Sequence, residues 1–123
     1  MITIQTEKAP AAIGPYSQAM VSGGFVFTSG QIPIDPATGM VVEGNVTVQA
    51  EQVMANLGAV LAAAGSGFDR VVKATCFLAS MDDFADFNTV YGKYMTNKPA
   101  RSCVAVKCLP KNVLCEVEAV AEV

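Results

Sequence analysis

Residues Pro99 to Val123 read PARSCVAVKCLPKNVLCEVEAVAEV, and the division of this stretch decides the fold. Arg101–Cys108 and Val113–Val123 are rich in small and β-branched residues and read as two strands, with Leu109-Pro110-Lys111-Asn112 as the turn between them. Side chains alternate along a strand, so Arg101, Cys103 and Ala105 share one face. On the last strand Glu116, Glu118, Val120 and Glu122 share one face, and Cys115, Val117, Ala119 and Ala121 form the opposite, apolar, core-facing one. A hairpin with Cys108 opposite Val113 sets Ala105 against Glu116 and Cys103 against Glu118. Arg101 and both glutamates then fall on one face, whereas a slip of one residue would part them.

Working back along the chain, YSQAMVS and FVFTSGQI flank Gly23-Gly24 and read as a hairpin with a glycine turn. The segment PIDPATGMVVEGN, with its prolines, glycines and Asp35, reads as an ordered loop. Between Thr47 and Ala64, apolar residues at Ala50, Val53, Met54, Leu57, Val60, Leu61 and Ala64 mark one face of a helix that Gly65 can end. VVKATCFLA, Val71 to Ala79, reads as a buried strand. Ser80 can cap a second helix, with Asp83 at the capping-box position and Phe84, Phe87, Val90, Tyr91 and Tyr94 on one face; Pro99 stops it. The order predicts a single α+β domain over residues 1–123, with two helices on one face of a mixed sheet.

The chain has 123 residues, enough to bury roughly two thirds of its unfolded surface. Composition is 52% hydrophobic and only 15% charged, which leaves apolar surface to hide against copies of the same chain. A net charge of −3 with no basic run argues against nucleic acid as a partner. MITIQTEKAP lacks secretory or transit features, and no apolar run approaches the about 20 residues that span a bilayer, so a cytoplasmic protein away from membranes is expected. The four cysteines, Cys76, Cys103, Cys108 and Cys115, read as reduced thiols in apolar strands. Without histidine or a C-x-x-C pair, no metal site is expected.

The residues leave two readings of the Arg101, Glu116 and Glu118 group open. It is either a partly buried ion-pair cluster that fixes register, or a site in which Arg101 holds an anion and a glutamate moves protons. Arginine suits the first task because its planar fork grips a carboxylate through two parallel hydrogen bonds. A partly buried glutamate suits the second because desolvation lifts its pKa toward neutrality. Cys103 lacks the usual histidine base for a nucleophile and reads as a core or pocket-lining thiol. Tyr16 taken alone is a packed aromatic, and Asn88, a poor helix former in mid-helix, is either exposed or hydrogen-bonded.

IGPYSQAM, FTSGQIPIDPATG, FNTVYGKY, PARSCVAV and LPKNVLCEVEAVA occur in the order found in the RidA family. The chain resembles these YjgF-type reactive-intermediate deaminases over nearly its whole length. The resemblance implies a homotrimer with the chorismate-mutase-like fold and active sites between subunits. It further implies cofactor-free hydrolysis of 2-enamino and 2-imino acids, such as 2-iminobutyrate and 2-iminopropionate, to 2-keto acids and ammonia. By matching motif, Arg101 would bind the substrate carboxylate and Glu116 would activate water. Tyr16, Ser29, Gly30, Asn88 and Cys103 would line the pocket, and Glu118 would be structural. Lys98 stands where members commonly carry an aromatic residue, so one rim of the cleft differs in size or charge.

Competing functions are a small-carboxylate binding or regulatory module that uses the same cleft, a ribonuclease, and a pericyclic enzyme. The acidic balance and missing histidine count against the ribonuclease. Fold analogy alone supports the pericyclic enzyme, and one arginine is few cations for chorismate.

Overall fold

A computed structural model describes residues 1–123. The chain runs β1 (Ile2–Ile4), β2 (Ala19–Ser22), β3 (Phe25–Thr28), β4 (Ile34–Asp35), β5 (Met40–Val41), α1 (Val46–Ala63), β6 (Val71–Leu78), α2 (Phe84–Tyr94), β7 (Ala100–Ala105) and β8 (Cys115–Glu122). Six strands form one mixed sheet in the order β1-β2-β3-β8-β6-β7, and β4 and β5 form a small separate ribbon within the segment read as a loop.

Local chemistry explains the elements. Gly23 and Gly24 have φ of +63° and +84°, the left-handed pair required by a tight hairpin turn between β2 and β3. Asn45 caps α1 by accepting a hydrogen bond from the Val48 amide at 3.1 Å. At the other end Gly65 has φ +79°; its amide donates to the Ala62 carbonyl, and the Ser66 amide donates to Leu61, which closes the helix as a Schellman motif. Ala50, Val53, Met54, Leu57, Val60 and Leu61 are all fully buried, as their spacing predicts. Burying a side chain of the size of Leu57 or Met54 contributes about 1.5–3 kcal/mol relative to exposure. Ser80 caps a short 3-10 turn, Met81–Asp83, and α2 follows it; α2 ends at Tyr94, a turn before Pro99.

The two helices pack on one face of the sheet in one hydrophobic cluster that joins Phe87, Val90 and Tyr91 to Val26, Cys76, Val117 and Ala121. No helix covers the other face, where Phe25, Phe27 and Val104 are exposed beside half-buried Glu116, Glu118 and Val120. No helix is long and apolar enough to cross a membrane. All four cysteines are free; Cys76 and Cys115 are buried and Cys103 half-buried, whereas Cys108 is exposed in a loop rather than packed in a strand.

The expected hairpin between the last two strands does not form, because β6 lies between them. It pairs parallel with β7, matching Ala74 with Arg101 and Cys76 with Cys103. It pairs antiparallel with β8, matching Thr75 with Glu118 and Phe77 with Glu116. A parallel neighbour needs a long crossover, and α2 supplies one by burying Phe87, Val90 and Tyr91 on the helix side. That crossover sets β7 at the sheet edge. Pro110 then starts a 3-10 turn, with Lys111 and Asn112 at φ +55° and +56°, that carries the chain past β6. The LPKN segment is therefore a connection across a strand rather than a hairpin turn.

Candidate active site

This strand order overturns the expected single-face cluster. Paired residues on neighbouring strands share a face. Arg101 and Cys103 therefore share the helix face with Ala74 and Cys76. Glu116 and Glu118 share the open face with Phe77 and Thr75. Neither glutamate pairs with Arg101, and the chain's one ion pair is Lys93 with Glu51.

On the helix side, α2 shapes the arginine's surroundings. Phe84, Asn88 and Tyr91 recur at spacings of four and three and thus lie on one helix face. The Arg101 Nη1 donates to Asn88 Oδ1 at 2.7 Å. Its guanidinium lies 4.7 Å from the Tyr91 ring centroid and 5.6 Å from that of Phe84, within the range of cation–π attraction. Asn88 is thus hydrogen-bonded, and the remaining guanidinium donors have no carboxylate partner. A cavity of about 480 Å³ opens here, lined by Arg101, Asn88, Tyr91, Met95, Thr96 and Lys98 among others. Burial pushes the Cys103 thiol up against the pull of Arg101, and pushes the Cys76 thiol beside it to about 12. Protonated thiols suit a wall better than a nucleophile.

On the open side, the chain after β3 is bound to β8. Phe27 pairs with Val120, and Gln31 with Val117, so four steps on one strand face three on the other. This bulge is held by the Ala119 amide donating to the Thr28 hydroxyl at 3.0 Å. It lays Gly30 directly on Glu116, so closely that any Cβ at Gly30 would overlap the carboxylate. Ser29 is fixed by donating from Oγ to the Ser17 carbonyl at 2.6 Å. Tyr16 is exposed, and it shares with Gly30 and Gln31 a cavity of about 310 Å³. Burial, helped by repulsion from Glu118, raises the Glu116 carboxyl above its ordinary value.

The seven candidate residues thus fall into two groups: Arg101, Asn88 and Cys103 on one side, and Glu116, Gly30, Ser29 and Tyr16 on the other. Sequence reasoning missed the part of Tyr91 and Phe84 as the aromatic bed of Arg101, although their helical spacing from Asn88 carried it. Tyr91 has a further peculiarity: its hydroxyl is buried and has no hydrogen-bond partner.

Solved structures share this fold, and proteins of known sequence match the chain over nearly its whole length. The chain belongs to the family described as endoribonuclease L-PSP, whose model matches residues 6–123; this is the RidA or YjgF family. Among its relatives, a Salmonella typhimurium protein named 2-iminobutanoate/2-iminopropanoate deaminase is 50% identical over 97% of this chain and 95% of that one. The crystal structure of a Thermotoga maritima protein described as a putative endoribonuclease superposes with a TM-score of 0.97 at 51% identity, covering 100% of this chain and 98% of the other. E. coli TdcF, solved with bound serine, gives a TM-score of 0.95 at 42% identity, covering 100% of this chain and 99% of that one.

Proposed function

We propose that this chain is a hydrolytic deaminase of 2-imino and 2-enamino acids, working as a homotrimer with each active site in the cleft between two copies. The observation that carries the reading is the placement of Arg101 and Glu116 on opposite faces of one sheet. A carboxylate clamp and a proton-transfer group that act on one small molecule must then come from different copies. Phe25, Phe27 and Val104 on the open face give a second copy apolar surface to cover, and the edge position of β7 leaves Arg101 within its reach. Three copies related by rotation, as the family resemblance implies, close such an arrangement without leaving a free face.

In the joined site, Arg101 takes the substrate carboxylate in its fork while Asn88 and Tyr91 hold the guanidinium in place. Glu116 of the other copy takes a proton from water as the water oxygen bonds to C2 of the imine. The proton returns to nitrogen to give a carbinolamine; Glu116 then takes the proton of the new hydroxyl and passes it to the amine as the C–N bond breaks and the C=O bond forms, and a 2-keto acid and ammonia leave. Imines are electrophilic already, so orientation and one base suffice. The name of the Salmonella relative and the serine bound to TdcF support a small amino-acid-like carboxylate as the ligand. The endoribonuclease of the family description finds no support in a chain without histidine and with a charge of −3.

The test is disappearance of 2-iminobutyrate generated by a threonine dehydratase, with and without the protein. Acceleration by the wild type and its loss in Arg101→Ala are expected; full activity in Arg101→Ala overturns the clamp. The serine in TdcF also favours a second reading, a carboxylate binder without turnover. Ligand binding that survives Glu116→Gln, with no turnover by the wild type, would select it.

A further inference from the structure

The cavity beside Arg101 is lined by two cations and no anion. Lys98 shares it with Arg101, and the other lining side chains, among them Asn88, Tyr91, Met95 and Thr96, are neutral. Neither cation has a carboxylate partner, since the chain's one ion pair is Lys93 with Glu51. Two positive charges facing one cavity favour a ligand that carries negative charge at both ends.

The backbone fixes Lys98 in this position. Its φ is +51°, a left-handed conformation uncommon for a residue other than glycine. Its amide donates to the Met95 carbonyl at 3.1 Å, which closes a turn at the end of α2. Asn97 ties that turn to the sheet by donating from Nδ2 to the Val71 carbonyl at 3.1 Å, and Pro99 stiffens the exit. Both side chains line the one cavity, so a short dicarboxylate lying in it can meet a cation at each end.

We propose that the site selects 2-imino acids with a second acidic group, Arg101 binding the carboxylate next to the imine carbon and Lys98 the distal one. This rests on the deaminase reading for the imine, but the charge selection can be measured without turnover. Isothermal titration calorimetry with 2-oxoglutarate and with 2-oxobutanoate gives the binding preference of the wild type, of Lys98→Gln and of Lys98→Arg. Wild type is expected to favour 2-oxoglutarate by about fivefold, the range of a solvent-exposed charge pair. Lys98→Gln should bring the ratio of the two constants close to one, and Lys98→Arg should restore it. Equal affinities in the wild type, or a preference that persists in Lys98→Gln, overturn the proposal. Failure of the protein to hydrolyse both 2-iminobutyrate and 2-iminoglutarate while keeping that preference would defeat the deaminase reading and leave the charge selection standing.

Discussion

Arg101 and Glu116 are separated by a sheet: β6 pairs Ala74 with Arg101 on the helix face and Phe77 with Glu116 on the open face. If the active site needs both, two defective chains can repair each other. Arg101→Ala and Glu116→Gln, each inactive alone, should regain imine hydrolysis when mixed as unfolded chains and refolded together. Mixed assemblies as inactive as the parents would show that both groups act within one copy.

Glu116 is held above its ordinary pKa by burial and by Glu118. In the proposed role of base it must be ionised, so the rate should rise with pH through that raised value. Glu118→Gln removes a repelling charge and should shift the acid limb to lower pH, visible in kcat/KM profiles. The stability consequence has the opposite sense. A folded-state pKa above the unfolded value gives stability that is present at low pH and lost as pH rises through the folded pKa. Glu116→Gln should therefore raise Tm relative to wild type at neutral pH and give no such gain in acid, while lowering kcat by about 10²–10⁴-fold.

Gly30 owes its identity to space rather than backbone conformation, since its φ is not among the positive ones. Gly30→Ala should fold normally by circular dichroism and push the Glu116 carboxylate aside. A displacement on the scale of an ångström predicts a rate loss of about 10²-fold. An unchanged rate would mean that the position of Glu116 is immaterial.

Tyr91 contributes its ring and wastes its hydroxyl. Tyr91→Phe keeps the surface under Arg101 and deletes a buried, unpartnered oxygen, so Tm should hold or rise. Tyr91→Leu removes the cation–π support, worth about 0.5–2 kcal/mol, and should raise KM more than it lowers kcat. Equal kinetic effects of the two variants would shift the role from the ring to the hydroxyl.

Local patterns were legible in the sequence and strand order was not. The apolar spacing of α1, its Gly65 stop and the Gly23-Gly24 turn depend on neighbours within a few residues, and the structure has them all. Strand parity was right too: Cys115, Val117, Ala119 and Ala121 are buried. Which strand sits beside which depends on where α2 can bury its apolar face, and a short Pro-containing link gives no sign that β6 will intervene. The error moved Arg101 across the sheet from Glu116. The contact of Gly30 with Glu116 was hidden for a related reason, because the bulge after β3 shows only once β8 is in place.

The open face of the sheet carries both the exposed apolar residues and Glu116. On the shared-site reading, covering that surface and creating a competent base are then a single event. A newly made copy would be catalytically silent until it met others, and specific activity would fall on dilution well before any unfolding. Turnover would thus serve as a gauge of how many chains the cell holds.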